Sequence, residues 1–195
     1  MSDPILIDLP AALHTARLLM RPPQAGDGAM VCAAVQESLP ELRRFLASLP
    51  WVAIEPTPES SETWCRNAQA NFLARRDLPF LLLEKGDDAA QVMVGVVGLH
   101  RPVWTTPKFE VGYWARTSRG GKGYVSEGVM ALIEFAFAHL QAARVELITD
   151  EDNAASRSCR GSFAATTPPG STGSAGGAPG RRRTSVRPRG RAVAR

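Results

Sequence analysis

The sequence lacks the features that mark several classes of protein. Its three cysteines, Cys32, Cys65 and Cys159, are widely spaced and form no C-x-x-C pair, so no metal ligands and no dithiol redox site are assigned. No apolar run is long enough to span a bilayer. The first ten residues carry two aspartates where a secretory signal would be basic. We therefore expect a cytoplasmic protein with no membrane partner.

The last 38 residues lack the residues that build a core. Positions 158–195 contain eight arginines but no acidic residue, no leucine and no isoleucine, and they are rich in Gly, Pro, Ala and Thr. Such a segment buries too little apolar surface to offset its ordering entropy, so it is predicted to be a disordered basic tail. Without it, residues 1–157 hold 15 basic and 19 acidic residues, a mildly acidic domain. An unstructured tail is favoured over a specific nucleic-acid site.

Hydrophobic periodicity over residues 1–157 predicts a single domain of mixed helices and strands. Pro40 separates two predicted helices, and Ser60 or Ser61 is expected to cap a third. The longest regular apolar stripe predicts a helix near residues 125–140. Strands are predicted at 16–22, 79–85, 91–101, 108–116 and 144–149, and helices at 25–37, 40–49, from about 60 onward, and at 125–140.

The most informative segment is FEVGYWARTSRGGKGYVSEG, residues 109–128, in which a strand leads through a glycine-rich turn into a helix. Gly120, Gly121 and Gly123 permit a positive φ and a close approach of a ligand to the backbone. The amide groups that follow lie at the positive end of the helix dipole, which favours an anion. This pattern predicts a phosphate or pyrophosphate cradle, although a simple tight turn is the alternative.

Two familiar phosphate motifs do not fit this loop. A Walker A loop needs Ser or Thr after its lysine, but Gly123 follows Lys122, and a dinucleotide fingerprint needs a third glycine where Ser126 stands. The segment GKGYVSEG instead resembles the acetyl-CoA loop of the GNAT superfamily of N-acetyltransferases, in its ribosomal-protein N-terminal acetyltransferase branch. Ser118 departs from the Gln or Arg usual in that loop. TARLLMRP, EVGYW and RVELITDEDNAAS resemble further elements of the branch, so that the resemblance covers about residues 14–157.

The resemblance implies an α+β fold, a mixed and mostly antiparallel sheet flanked by helices, with acetyl-CoA bound where two strands splay apart. It assigns the loop, the strand before it and two residues after the next strand to the cofactor. Asn153 has a helix cap as its alternative role. The cofactor residues are Tyr113, Trp114, Ser118, Arg119, Gly120, Gly121, Lys122, Gly123, Tyr124, Val125, Asn153 and Ser156.

The implied reaction is direct transfer of acetyl to a protein N-terminal α-amine or a small amine, with the oligomeric state, including a dimer, left open. A protonated amine needs a base. Glu110, on the strand beside the splay, is the first candidate, and His100, at the end of the preceding strand, is the second. The alternatives are a solvated strand residue for Glu110 and a loop-end residue for His100.

The resemblance stops after residue 157, where the superfamily has a helix and two further strands. We expect these strands to be missing and the domain to be incomplete, marginally stable and of reduced activity, because an uncovered strand edge invites aggregation. One hypothesis is that the tail is translated out of frame; a natural basic extension competes with it. Two other functions stay open: a non-catalytic CoA-binding or interaction protein, and a nucleic-acid-associated protein that uses the tail.

Overall fold

A computed structural model of the chain describes residues 3–46, 50–86, 91–150, 173–175 and 181–186. Within these ranges the helices are α1 (Gly28–Leu46), α2 (Pro50–Ala53), α3 (Pro58–Leu73) and α4 (Tyr124–Ala138). None of these helices is long and apolar enough to cross a membrane. The strands are β1 (Leu13–His14), β2 (Leu18–Arg21), β3 (Leu78–Glu84), β4 (Val92–Val103), β5 (Lys108–Ala115), β6 (Arg144–Asp150), β7 (Gly173–Ala175) and β8 (Arg181–Val186).

The strands form one sheet in the order β1-β2-β3-β4-β5-β6-β8-β7. Every neighbouring pair is antiparallel except β5 and β6, which are parallel. The parallel pair is joined through α4, since parallel neighbours need a crossover connection. The predicted α+β class, with a mixed and mostly antiparallel sheet flanked by helices, is confirmed.

The sheet is covered on both faces. On one face, α4 packs through Val129, Leu132 and Ala136 against Phe80 and Phe109, all buried. On the other face, α1 and α3 pack against alternate strand residues such as Leu81 and Leu83. Side chains alternate between the faces of a strand, so the continuous apolar run of β3 supplies both cores. Residues 109, 111 and 113 of β5 thus face α4, and residue 114 faces α1.

Two helix boundaries differ from the sequence prediction. Pro40 lies inside α1, which is a single helix where two were predicted. Leu39 and Leu42 are buried on the same sheet face, and this packing holds the helix together across the proline. Helix α3 begins at Pro58 and is capped by Thr57, which exchanges hydrogen bonds with Ser60, so the cap lies three or four residues before the predicted Ser60 or Ser61.

Helix α1 approaches α3 closely at Gly28, and this contact gives a stability prediction. A Cβ atom on Gly28 would lie 2.6 Å from Glu62 Cβ and 2.7 Å from Glu62 Cα. Gly28→Ala should lower the free energy of unfolding in urea by about 1–3 kcal/mol, because backbone must move to admit the methyl group. The neighbouring Ala29→Ser, at an exposed position, is the control. Wild-type stability for Gly28→Ala would contradict this packing.

The structure corrects the prediction that the C-terminal strands are missing. Strand β8 pairs antiparallel with β6 over Val145–Asp150, and β7 pairs with β8, both from the segment predicted to be a disordered tail. The reason is that strand pairing uses main-chain groups, which any sequence without proline offers, and β6 presents an edge that would otherwise be open. The expectation of an uncovered β6 edge is therefore wrong. The remaining tail residues lie outside the described ranges.

Candidate functional site

The glycine-rich turn lies between β5 and α4. A short 3-10 turn at Thr117–Arg119 follows β5, and Gly120 continues in an extended conformation with φ −64° and ψ 159°. Gly121 and Gly123 then have φ values of 73° and 78°, in the left-handed region where side chains are strained. Residues 120–123 are exposed, and a Cβ atom on Gly121 would meet no atom within 4 Å. The loop therefore presents its backbone to open space.

The N-terminus of α4 is open at this loop. Gly123 occupies the N-cap position, and no side chain caps the first turn. Helix α3 shows the contrast, because Thr57 and Ser60 form a complete capping box there. Amide groups at the first turn of a helix need an acceptor, and the dipole makes that acceptor an anion by preference. The phosphate cradle stays a prediction, and an uncapped helix end beside the glycine-rich turn is the feature that it requires.

Helix α1 anchors the start of the loop through two side chains. The Glu37 carboxylate accepts hydrogen bonds from Ser118 N at 2.7 Å and from Arg116 Nε at 2.6 Å. The hydroxyl of buried Ser38 accepts from Thr117 N at 3.1 Å. The hydrogen bonds from the side chain and backbone of Ser118, with help from Arg116, lower the pKa of Glu37 to about 2. Glu37 is therefore ionised at neutral pH and fixes the turn.

Arg17 holds the end of the loop against α4. Its guanidinium binds Glu127 Oε2 at 2.6 Å and the Lys122 carbonyl at 2.9 Å, and it lies 4.6 Å from the centre of the Tyr124 ring. Glu127 also accepts from the Thr15 hydroxyl at 2.5 Å. Partial burial would raise the pKa of Glu127, but the hydrogen bonds from Thr15 and Arg17 together lower it. The Glu127 carboxylate thus bonds to Arg17 and does not cap the open end of the helix.

A third carboxylate, Glu84 at the end of β3, binds two of the predicted cofactor residues. Arg119 contacts Glu84 Oε2 at 3.0 Å, and the Tyr124 hydroxyl donates to Glu84 Oε1. The bond to Glu84 raises the pKa of Tyr124. The side chains of Ser118, Arg119 and Tyr124 therefore shape the loop, and what the loop offers a ligand is its backbone.

A gap opens beside this loop between β5 and β6. The two strands pair only from Lys108↔Arg144 to Val111↔Leu147, although β5 continues to Ala115 and β6 to Asp150. Arg116 N donates to Val94 O, so the alternate residues Ala115 and Tyr113 direct their backbone amides away from β4 and toward the gap. The splayed strands expected from the resemblance are present.

The two candidate bases lie opposite each other across β4 and β5, in the pair His100↔Glu110. Glu110 forms an ion pair with Arg101. His100 Nδ1 lies 2.7 Å from Asp77 Oδ1. Trp114 lies on the α1 face of β5, with its ring 6.4 Å from that of Trp51 on α2. Glu110 lies in the paired stretch, one residue before Val111, and Trp114 lies where β5 has parted from β6.

The other predicted residues have varied surroundings. Tyr113 faces α4 and packs against its core, on the opposite side of β5 from Trp114, and Val125 packs against the same core. Lys122 is exposed. Asn153 and Ser156 lie outside the described residues. Within the described ranges, no group of three His, Cys, Asp or Glu side chains is placed to hold a metal ion.

Sequence reasoning missed the residues that position the site. They are Arg17, Glu37, Asp77 and Glu84, each far along the chain from its partner: Glu37 is 81 residues from Ser118, and Arg17 is 110 residues from Glu127. Isolated charges of this kind carry no local pattern. The order of the strands and the packing of α1 bring Arg17, Glu37 and Glu84 to the loop and Asp77 to His100.

Comparison with known families gives one match over most of the chain. The family model described as an acetyltransferase (GNAT) domain matches residues 17–160. A curated relative, the uncharacterized N-acetyltransferase p20 of Bacillus licheniformis, is 24% identical over 141 residues, which cover 72% of this chain and 74% of p20.

Solved structures share the fold at low sequence identity. The microcin C7 self-immunity acetyltransferase MccE, solved with acetyl-CoA and AMP, is 15% identical with a TM-score of 0.74, covering 92% of this chain and 97% of MccE. RimL, the ribosomal L7/L12 α-N-protein acetyltransferase solved with coenzyme A, is 17% identical with a TM-score of 0.70, covering 89% of this chain and 95% of RimL.

Proposed function

The chain belongs to the acetyltransferase (GNAT) domain family, and from that premise we propose that it transfers acetyl from acetyl-CoA to a primary amine. The observation that carries the proposal is the open N-terminus of α4, with left-handed Gly121 and Gly123, beside the gap between β5 and β6. An anion site next to a slot lined by backbone amides suits a molecule with a diphosphate at one end and an amide-containing arm. Acetyl-CoA is such a molecule.

The residues present fit the diphosphate. The backbone of 120–123 is exposed, and a Cβ atom at Gly121 or Gly123 would meet no atom closer than 3.5 Å, so a ligand has room to approach. The backbone amides of the first turn of α4 would donate hydrogen bonds to the phosphate oxygens. Exposed Lys122 adds a positive charge at the rim. Asn153 and Ser156, from the resemblance, remain proposed contacts outside the described residues.

The splayed strands fit the arm that carries the acetyl group. The backbone of Tyr113 and Ala115 faces the gap and can hydrogen-bond an extended amide chain in the manner of an added strand. Bound acetyl-CoA would supply an activated thioester at the far end of that arm. A backbone amide of β5 near the thioester would stabilise the oxyanion that forms when an amine attacks.

The acceptor side is the sheet face that carries Trp114, His100 and Glu110. Trp51 and Trp114 form an aromatic wall there, and Trp51 is 42% exposed. We propose a protein N-terminal α-amine or a small amine as the acceptor. The fold shared with RimL supports the first choice, and the open wall beside the bases leaves space for either. A cytoplasmic location remains a prediction.

The C-terminal strands bear on both rival functions. The interpretation as a non-catalytic CoA-binding protein depended on missing strands, but β8 covers the edge of β6 from Val145 to Asp150. The interpretation as a nucleic-acid-associated protein depends on the arginine tail, of which the described part, Arg181 to Arg183, pairs as β8 with β6.

Calorimetric titration of the 195-residue chain with acetyl-CoA tests the proposal. We expect saturable binding with a dissociation constant of roughly 1–100 μM, within the usual range for enzyme substrates. Release of CoA thiol is then measured with a panel of peptides that have free N-terminal Ser or Ala and a panel of small amines. A folded chain that does not bind acetyl-CoA would contradict the proposal.

A further inference from the structure

The imidazole of His100 is held flat on the sheet at the mouth of the gap. A Cβ atom on Gly98 would lie 2.7 Å from its Cε1, and one on Gly112 would lie 2.8 Å from its Cδ2. The ring therefore covers the backbone of both strands where two glycines leave room for it. Gly112 is the first residue of β5 beyond Val111, where the pairing with β6 ends. The ring thus lies beside the point at which the strands part.

A carboxylate fixes the orientation of this ring. Asp77, the residue before β3, has its Oδ1 2.7 Å from His100 Nδ1. A carboxylate only accepts hydrogen bonds, so Nδ1 carries the proton and the neutral ring keeps its lone pair on Nε2. Nε2 has no hydrogen-bond partner in the part of the chain that the structure describes, and the side chain is 35% exposed. Nε2 is therefore available to a substrate.

Glu110, the first candidate base from the sequence, is arranged differently. Its carboxylate is bound by the guanidinium of Arg101, the residue after His100, which adopts a left-handed φ of 49°. The carboxylate keeps lone pairs free on its oxygens but shares its charge with a guanidinium, whereas the Nε2 lone pair of His100 faces no ionic partner in the described residues. A histidine oriented by a carboxylate on its other nitrogen is also a recurrent general-base arrangement. The geometry favours His100.

We propose that His100 is the general base of the acetyl transfer and that Asp77 is its positioning residue; this rests on the proposed function. Nε2 takes one proton from the acceptor ammonium, directly or through a water molecule, and Asp77 stabilises the imidazolium. The amine nitrogen forms the C–N bond to the acetyl carbon, and the C–S bond breaks with its electron pair on sulfur. The second proton of the attacking nitrogen goes to the thiolate.

The tautomer of His100 tests this geometry without any turnover. The chain has three histidines, His14, His100 and His139, so nitrogen NMR of labelled protein resolves few rings. We expect His100 to carry its proton on Nδ1. His139 is an internal contrast, because its Nε2 lies 2.5 Å from the Asp8 carbonyl and must carry the proton to bond it. In Asp77→Ala, His100 should lose its preference for the tautomer protonated on Nδ1, while the other two histidines should be unchanged. A wild-type His100 protonated on Nε2 would overturn the proposal.

Kinetics test the role of the dyad with an amine from the panel that the wild-type protein acetylates. His100→Ala should lower kcat by roughly 100- to 10,000-fold, the usual loss for a general base, with acetyl-CoA affinity unchanged. Asp77→Asn should lower kcat by about tenfold or more, and Asp77→Glu should restore part of the loss. His14→Ala, at an exposed histidine of β1, is the matched control and should keep the wild-type kcat.

The outcomes separate this proposal from the proposed function. Turnover that persists at the wild-type kcat in both His100→Ala and Asp77→Ala overturns the dyad and leaves acetyl transfer intact. A parallel loss of kcat and acetyl-CoA affinity in these variants would also overturn the dyad, because it would show that His100 and Asp77 have a structural role. Failure of wild-type protein to bind acetyl-CoA contradicts the proposed function, while the tautomer of His100 is measured independently.

Discussion

Gly121→Asp is expected to weaken acetyl-CoA binding by roughly 10- to 100-fold, or about 1.4–2.8 kcal/mol. Gly121 has φ 73° and lies beside the open N-terminus of α4, so a carboxylate there would occupy the space proposed for the diphosphate. Two unit charges about 4 Å apart in water interact by about 1 kcal/mol, and a diphosphate carries at least two charges. Calorimetric titration measures the change.

Gly121→Asn is the control that isolates the charge. Asparagine matches aspartate in size, and both tolerate a left-handed φ better than other side chains do. No atom lies within 4 Å of the Cβ position, so neither substitution collides with the protein. We expect Gly121→Asn to retain most of the affinity. The difference between the two variants should shrink as salt is added, because exposed charges are screened.

A second control separates backbone strain from ligand contact. Gly26, before α1, also has a left-handed φ, 97°, and an open Cβ position, but it lies outside the loop. Gly26→Asn should therefore carry a similar backbone cost and leave acetyl-CoA binding unchanged. Equal affinities for Gly121→Asp and Gly121→Asn would contradict the diphosphate cradle.

The elements around the proposed site that the sequence predicted correctly are those with a local signal. A β-rich segment, three glycines and an apolar stripe of helical period lie next to one another between residues 108 and 140, and the structure has β5, the exposed loop and α4 there. Glycines are needed where φ is positive, and a helix must begin where its apolar stripe begins. Such requirements can be recognised without knowing the rest of the fold.

The residues that fix the loop and the base could not be recognised in this way. Asp77 reaches His100 because β3 and β4 are neighbours, and Glu84 reaches Arg119 and Tyr124 because β3 ends near the loop. A single aspartate or glutamate on a surface segment has the same appearance whether it is solvated or bonded. Its role depends on the strand order, which periodicity does not determine.

The C-terminal strands were missed for a different physical reason. Composition measures how much apolar surface a segment can bury, and residues 181–186 read RRRTSV, with a single aliphatic residue. Their place in the sheet depends on main-chain pairing with the edge of β6. A strand can gain its order from the ladders to its neighbours and from the adjacent fold, so a low apolar content does not exclude it.

Glu37→Gln is expected to weaken acetyl-CoA binding by about tenfold and to make the stability of the protein less sensitive to acid. Glu37 accepts hydrogen bonds from Ser118 and Arg116, whose loss would free the start of the loop. Hydrogen bonds from Ser118 and the Arg116 charge lower the pKa of Glu37 from 4.5 to about 2 in the folded protein. Hydrogen bonds to ionised groups are the stronger ones, so the amide is a weaker anchor.

The direction of the acid effect follows from proton binding. Above about pH 5 the carboxylate is ionised in both the folded and unfolded chains, and its full stabilisation is present. As the pH falls from about 5 to about 2, the unfolded chain binds a proton at Glu37 before the folded chain does, so this stabilisation is lost. The stability difference between wild type and Glu37→Gln should therefore be largest above pH 5 and smallest near pH 2.

Urea unfolding at a series of pH values measures this difference, with Glu41→Gln as the matched control. Glu41 is exposed on the same helix and has no hydrogen bond or ion pair in the described part of the chain. Its substitution should keep the wild-type affinity and the wild-type acid sensitivity. A stability difference between wild type and Glu37→Gln that is constant from pH 7 to pH 2 would show that Glu37 is not held ionised at the loop. The contact that holds the loop on α1 would then have to depend on the Ser38 hydroxyl, which accepts a hydrogen bond from Thr117 N.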